Sequence, residues 1–192
     1  EYVRDAEAAI ARLTLSGNDI TRTLKKREDL SGFISLCEVL LGLQNPIHLD
    51  LANCGLSVNG VNELAKAMAA GAAITAINVL SNPIGDGANL LIDIFESTES
   101  IRTMLGIEDG TTALYLSGHG EDTSVIDTGC AKLLAAEFTA RRCTRSITTV
   151  VLDSNRLLGD AGLTAIVDAL PPGVSLQPNF EYCGLKRVTT QL

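Results

Sequence analysis

The residues best suited to chemistry lie in one short stretch of the chain. His119, Glu121, Asp122 and Asp127 combine an imidazole with three carboxylates, which are the groups that bind metal ions or act as general bases. No second histidine lies at the i, i+4 spacing that a helical metal site uses, and the only other histidine, His48, is far away in sequence. The stretch is therefore predicted to be a solvated loop, and no metal is predicted.

Two basic clusters could dock a phosphate group or a partner protein. They comprise Arg22, Lys25, Lys26 and Arg27, and Arg141, Arg142 and Arg145. Solvated loops are the usual setting of such clusters. The sequence lacks the G-x-x-x-x-G-K-[ST] phosphate loop, a G-x-G-x-x-G turn after a strand, and a nucleophile elbow. It therefore predicts a protein that is not an enzyme, with no cofactor and no catalytic residue.

Composition narrows the classes of partner. The 192 residues are 46% hydrophobic, which is typical of a globular chain, and 15 basic against 23 acidic residues give a net charge of −8. This balance argues against nucleic acid and anionic membrane surfaces, which bind clustered Lys and Arg. No apolar stretch approaches the roughly 18 residues of a membrane span. Composition alone predicts a soluble globular protein.

The number and spacing of the five cysteines indicate the redox state of the compartment in which the protein resides. They are odd in number, scattered, and form no C-x-x-C pair, so they predict reduced thiols rather than a disulfide framework or a zinc site. An intracellular and most simply cytoplasmic location follows, with an organelle left open because a removed transit peptide leaves no trace.

A repeated motif predicts the strands and helices on which any functional residues would lie. Five segments fit L-x-L-x-x-N/C-x-L and a sixth fits in part. They are LTLSGNDI (13–20), LDLANCGL (49–56), INVLSNPI (77–84), VVLDSNRL (150–157), PNFEYCGL (178–185) and the partial LYLSGHGE (114–121). The anchor residues of these motifs are spaced 36, 28, 37, 36 and 28 residues apart, and are Asn18, Cys54, Asn82, His119, Asn155 and Cys183. Such periodicity predicts a repeat architecture.

Each repeat is predicted to be a strand, a turn and a helix. Apolar residues recur at three- and four-residue spacing over residues 34–43, 61–70, 88–95, 130–138 and 161–170, which indicates helices between the motif strands. Strands joined through helices run parallel. The leucines of L-x-L should pack on the helices, and the anchor amide should bond to neighbouring turn backbone. At Cys54 and Cys183, a thiol can fill the same place as a weak donor.

The motifs resemble a known family. The phrases IHLDLANCGLSVNGVNELAKAMAA, AINVLSNPIGDGANLLIDIF and TTVVLDSNRLLGDAGLTAIVDAL look like leucine-rich repeats of the ribonuclease-inhibitor type, as in ribonuclease inhibitor, NOD-like receptors and the Ran GTPase-activating protein. The resemblance implies an α/β solenoid, a horseshoe with a parallel sheet on the concave side and helices on the convex side. Residues 1–192 would form a single domain of about six repeats, with ends that meet further chain or another subunit.

Three spacings exceed 28 residues, and the excess predicts inserted loops. The extra residues fall within 21–29, 101–109 and 121–127. For residues 101–109 a second interpretation is open, because Ile101, Met104 and Asp109 also match the motif register of a short additional repeat.

The strand residues that point away from the helices are the candidate partner-binding site. One column comprises Thr14, Asp50, Asn78, Tyr115, Val151 and Asn179, and the next comprises Ser16, Ala52, Leu80, Ser117, Asp153 and Glu181. With neighbouring strands about 4.8 Å apart, each column should form a continuous strip. Tyr115 is the expected anchor, and the acids favour a basic partner surface.

The first functional hypothesis is a non-enzymatic module that binds a partner protein through this face and the inserted loops. The alternatives are a structural subunit of a large assembly, which would use the ends and the loops, and a GTPase activator resembling the Ran-activating type. Neither the partner nor the pathway follows from the residues.

Overall fold

Strands and helices alternate along the chain. A computed structural model describes residues 10–21, 28–118, 125–177 and 183–185. The described strands are β1 Arg12–Thr14, β2 Ile47–Asp50, β3 Ile74–Asn78, β4 Ala113–Tyr115, β5 Thr149–Val151 and β6 Ser175–Leu176. The helices are α1 Ser31–Leu41, α2 Val58–Ala69, α3 Ala88–Ser97, which follows a 3-10 turn at Gly85–Gly87, α4 Thr128–Ala140 and α5 Gly159–Ala169. The five predicted helices are confirmed, within a few residues at their ends.

Local chemistry explains where helices begin. At α2, the Ser57 side chain accepts hydrogen bonds from the backbone N–H groups of Asn59 and Gly60, which no earlier turn of the helix can satisfy. At α4, Asp127 does the same for Cys130 at 2.7 Å. Helix α2 then buries one apolar face, whereas α4 lies between α3 and α5 and is buried on most of its sides.

The strands form parallel sheets, as predicted. One sheet has the order β1-β2-β3 and the other β4-β5-β6. Leu13 pairs with Leu49, Leu49 with Ile77, and Leu114 with Val150, which are the pairings that the anchor spacings of 36, 28 and 36 residues require. Each helix packs on the next along the chain, and the buried side chains form one apolar cluster. The α/β class with parallel strands is confirmed.

Two buried asparagines hold the turns after β3 and β5. The Oδ1 atom of Asn82 accepts from the N–H groups of Cys54 and Leu56, both at 2.9 Å, and its Nδ2 donates to the carbonyl oxygens of Leu51, Val79 and Leu80. Asn155 repeats this arrangement with the equivalent neighbours. The predicted role of the anchor amide is confirmed at both positions.

Cysteines occupy the anchor position in two of the repeats, at Cys54 and Cys183. The Sγ atom of Cys54 donates to the carbonyl of Leu15 at 3.1 Å, and that of Cys183 donates to the carbonyl of Leu152 at 3.2 Å. All five cysteines lie in the described residues, are buried, and are thiols rather than disulfides. Burial raises the pKa of each thiol, to about 11 for Cys37, so they remain protonated at neutral pH.

The prediction of one continuous sheet is wrong. The spacing of 37 residues would pair Ile77 with Leu114, but no described strand pair joins β3 to β4. Instead, β3 makes isolated bridges at Ala76 to Thr103 and at Asn78 to Leu105. Residues 101–111, called the dividing segment below, therefore occupy the place of a strand between the two sheets. They form neither a simple loop insertion nor a complete repeat.

The last strand also begins earlier than the motif predicts. The 28-residue spacing would pair Val150 with Pro178, whereas Val150 pairs with Leu176. Proline has no N–H to donate to a ladder, and the N–H of Gln177 makes the bond to the Val150 carbonyl instead. The motif residues at 178–182 lie outside the described residues.

Within the described part of the chain, every helix is too short or too polar to cross a lipid bilayer.

Candidate functional site on the open face

The predicted site residues fall into two groups on the strand surface that faces away from the helices, called the open face below. Thr14, Asp50 and Asn78 are register partners across β1, β2 and β3, and Tyr115 is the partner of Val151 across β4 and β5. The dividing segment lies between the groups, so the prediction of a continuous strip is wrong. The physical reason is that the dividing segment already takes the hydrogen bonds of the β3 edge.

The second predicted column is only partly visible. Five of its members are half-buried, namely Ser16, Ala52, Leu80, Ser117 and Asp153, while Glu181, like Asn179 of the first column, lies outside the described residues. The Oδ1 atom of Asp153 is buried without a hydrogen-bond partner among the described residues. This column is thus less accessible than the sequence suggests, and in the first column Thr14 and Tyr115 are exposed while Asp50, Asn78 and Val151 are half-buried.

The dividing segment returns across the open face through a tight approach to β3. The N–H of Gly106 donates to the Ile77 carbonyl at 2.9 Å, and Gly106 has a φ of +69°. A Cβ atom at this position would lie 2.9 Å from the Asn78 side chain, so only glycine fits. Asn78 is held in turn, because its Oδ1 accepts from the N–H of Leu80.

A cavity of about 360 Å³ opens between the first sheet and the dividing segment. Its polar lining carries both signs of charge: Arg12, His48, Asp50, Asn78, Arg102, Glu108 and Asp109. Arg12 on β1 pairs with Glu108 at 3.3 Å, and Arg102 pairs with Asp109 at 2.7 Å. All four side chains are at least half exposed, so solvent and salt weaken both pairs. A partner that brings its own charges can replace them.

A second, smaller cavity lies on the other side of the dividing segment. It has a volume of about 250 Å³, and its lining includes Leu80, Ile107, Ala113 and Tyr115. Tyr115, the last residue of β4, is 77% exposed. An exposed aromatic ring beside apolar walls can bury a large area against a partner at little cost in side-chain entropy.

A buried carboxylate holds the dividing segment against α4. Glu137 is 1% exposed and accepts hydrogen bonds from the N–H groups of Met104 at 2.7 Å and Leu105 at 2.9 Å, and from the hydroxyl of Thr103. The Thr103 hydroxyl oxygen also accepts from the N–H of Ile107 at 3.0 Å. Burial raises the pKa of Glu137 to about 7, because the loss of hydration outweighs these donors and the nearby Arg142 charge.

Arg142 fixes the start of the same segment. Its Nη1 donates to the carbonyl oxygens of Thr98 at 2.9 Å and Ile101 at 2.6 Å, and its guanidinium lies 4.2 Å from the centre of the Phe95 ring. Arg142 therefore has a structural role, which the prediction of a solvated basic loop missed. Arg141 and Arg145 are exposed, as that prediction requires.

The other candidate chemical residues carry no site in the described part of the chain. Asp127 is buried, and its two oxygens accept from the N–H groups of Cys130 and Gly85, so it is a structural cap. His119, Glu121 and Asp122, and the cluster at residues 22–27, lie outside the described residues. Among the residues that are described, no group of three or more His, Cys, Asp or Glu side chains is arranged to hold a metal ion.

The sequence-based prediction gave His48 no functional role and missed most of the residues that line the larger cavity. Arg12 on β1 and His48 on β2 are register partners, and each lies two residues before the predicted column on its strand. Extending the motif by two residues toward its N-terminus would have found them. Glu137 also gave a signal, since it is an acid among the apolar residues Leu133, Leu134 and Phe138 of α4. Arg102, Glu108 and Asp109 gave none, because their positions depend on the path of the dividing segment.

Comparison of the sequence with protein-family models and with curated proteins finds no significant match.

Proposed function

We propose that this chain is a leucine-rich-repeat solenoid of the ribonuclease-inhibitor type that binds a partner protein through its open face. The repeat architecture is supported by parallel strands in motif register, by helices that each pack on the next, and by the two Asn anchors. In such a solenoid the helices lie on the convex side and the open face is the concave side.

The exposure of Tyr115 is the observation that carries the proposal. A 77% exposed tyrosine in a strand has no role in the apolar core, and it borders the smaller cavity. Interface energies are concentrated in aromatic side chains that enter or border pockets. Beyond the dividing segment, the larger cavity offers exposed charges that orient a partner and determine the rate of association.

The charges favour a partner with a basic surface. The chain carries a net charge of −8, and Asp50, Glu108 and Asp109 lie on or beside the open face. Arg12 and Arg102 compensate two of these acids, which leaves Asp50 as the excess charge next to His48. Partner residues with Lys or Arg beside an apolar side chain would match this surface.

The experiment compares partner capture by three forms of the chain. Tagged wild type, Tyr115→Ala and Leu90→Ala are used to recover proteins from the source cells, and the recovered partner is then titrated with each form in solution. Leu90 is the matched control, because it is 45% exposed on α3 and lies away from the open face. We expect Tyr115→Ala to weaken binding by about 2 kcal/mol, roughly thirtyfold, and Leu90→Ala to leave it unchanged.

Circular dichroism and thermal unfolding establish that each variant is folded. Equal affinity of wild type and Tyr115→Ala, with both folded, would remove the open face as the binding site. A loss with Leu90→Ala instead would transfer the interface to the helices.

A further inference from the structure

Glu137 lies on α4 behind the dividing segment, and among the described residues its side-chain hydrogen bonds all come from that segment. Three consecutive residues, Thr103, Met104 and Leu105, donate to its carboxyl oxygens. Those residues bridge to β3, and the turn that follows them carries Glu108 and Asp109 into the larger cavity. The position of this carboxyl group therefore determines the wall between the two cavities.

The neutral acid satisfies this arrangement. Oε1 accepts the N–H groups of Met104 and Leu105 in either protonation state, and the Thr103 hydroxyl donates to the carboxylate; in the neutral acid the protonated Oε2 can instead donate to the Thr103 oxygen, 3.0 Å away. The Thr103 oxygen accepts from Ile107 at the same time. A neutral Glu137 thus leaves no backbone donor of Met104, Leu105 or Ile107 unpaired.

The ionised form of Glu137 requires hydration or a free positive charge beside it. A carboxylate that is 1% exposed has lost nearly all its hydration, and the charge that acts on it is that of Arg142, whose guanidinium is committed to two carbonyl oxygens and the Phe95 ring. The helices packed on α4 present uncharged buried residues, Phe95 and Leu91 on α3 and Gly162 and Ile166 on α5. The charged residue next to Thr103 in the dividing segment, Arg102, is already paired with Asp109. Water reaches the carboxylate most directly by release of residues 103–107.

We propose that Glu137 is a pH-sensitive positioning residue: neutral, it holds the dividing segment closed against α4, and ionised, it releases that segment and reshapes the open face. The sign follows from linkage, because a group whose pKa is higher in the closed form than in the open form favours closure at low pH and opening at high pH. As a regulator of partner binding, this device rests on the function proposed above. The opening itself does not depend on any partner.

The test is amide hydrogen exchange on the free chain, followed by NMR at Met104, Leu105 and Ile107. Wild type, Glu137→Gln and the matched control Glu96→Gln are compared from pH 4 to pH 8 after correction for intrinsic exchange. Glutamine reproduces the neutral acid, since its oxygen accepts the same N–H groups and its amide donates to Thr103, whereas Glu96 is an exposed acid of α3. We expect wild type and Glu96→Gln to lose protection by up to about tenfold per pH unit as the pH rises from 4.5 to about 7 and to change little above that, and Glu137→Gln to keep its protection throughout.

Constant protection in wild type, or the same loss in Glu137→Gln, would overturn the proposal. If Glu137→Gln does not fold, the wild-type carboxyl carbon is titrated directly. Joint titration of this carbon with the Met104 and Leu105 amides supports the proposal, and titration of the carbon alone contradicts it. Because these measurements use the free chain, a failure to find a partner leaves them unaffected, and a negative result here leaves partner binding by Tyr115 standing.

Discussion

The turns of the two regular sheets and the dividing segment between them are held by different chemistry. Asn82 and Asn155 each use one oxygen to accept two backbone N–H groups and one amide nitrogen to donate to three carbonyls. Glu137 also accepts two backbone N–H groups, but it has no donor unless it is protonated. A neutral amide works at any pH, whereas a buried carboxyl group makes its segment depend on pH.

The difference reflects what each side chain must bridge. An asparagine anchor lies between two successive parallel turns, which offer both N–H and C=O groups at hydrogen-bond distance. The dividing segment presents two backbone N–H groups and the Thr103 hydroxyl to α4, so a carboxyl group from that helix completes its hydrogen bonds. Regular stacking therefore repeats one residue type, and the irregular segment required a different one.

Removal of an asparagine anchor is the largest expected effect. Asn82→Ala leaves the buried N–H groups of Cys54 and Leu56 without an acceptor, and we expect a loss of about 3–5 kcal/mol in the free energy of unfolding. Asn18→Ala is the control, because Asn18 is exposed and donates only within its own turn, and it should cost about 0.5–1 kcal/mol. Urea unfolding measures both values, and equal losses would contradict the anchor role.

The pH dependence of stability at Glu137 comes next. Its pKa is raised from 4.5 to about 7 in the folded chain, so the folded state binds the extra proton between these values, and its contribution to stability falls as the pH rises through that window. The change amounts to about 3 kcal/mol. The difference in unfolding free energy between Glu137→Gln and wild type should move in favour of Gln by this amount between pH 5 and pH 8. A difference that stays constant would show that Glu137 is ionised throughout.

The exposed attachment of the dividing segment should contribute least. The Arg12 to Glu108 pair lies at the surface, so a double-mutant cycle with Arg12→Ala and Glu108→Ala should give a coupling of only about 0.2–1 kcal/mol, which high salt abolishes. A coupling as large as the loss of unfolding free energy caused by Glu137→Ala would contradict this order. The surface pair, rather than the buried carboxyl group, would then be the stronger attachment of the dividing segment.

Several features of the fold could be predicted because they depend on local repetition. The pairing of Leu49 with Ile77 follows from a 28-residue spacing, and the amide contacts of Asn82 follow from its place after the strand. The place of the dividing segment did not follow, since Ile101, Met104 and Asp109 fit the motif and a loop equally well. Whether they pair with β3 depends on contacts with α4, which lies about thirty residues further along the chain.

The candidate site likewise has residues that the sequence predicted and residues that it did not. Tyr115 and Asp50 could be assigned to the open face from strand alternation alone. The convergence of Arg12 with Glu108 joins residues 96 positions apart and could not be read from the local pattern.

By itself, the sequence determined the alternation of strand and helix, the parallel pairing within each sheet, and the residues that anchor the turns, because these depend on the spacing of apolar and amide side chains. Tertiary structure alone decided that the strands form two sheets, that charges from distant elements line one cavity, and that Glu137 is enclosed. Burial and hydration are properties of the packed chain. They determine whether a carboxyl group is a solvated charge or, as at Glu137, a buried group whose hydrogen bonds to its neighbours depend on its protonation.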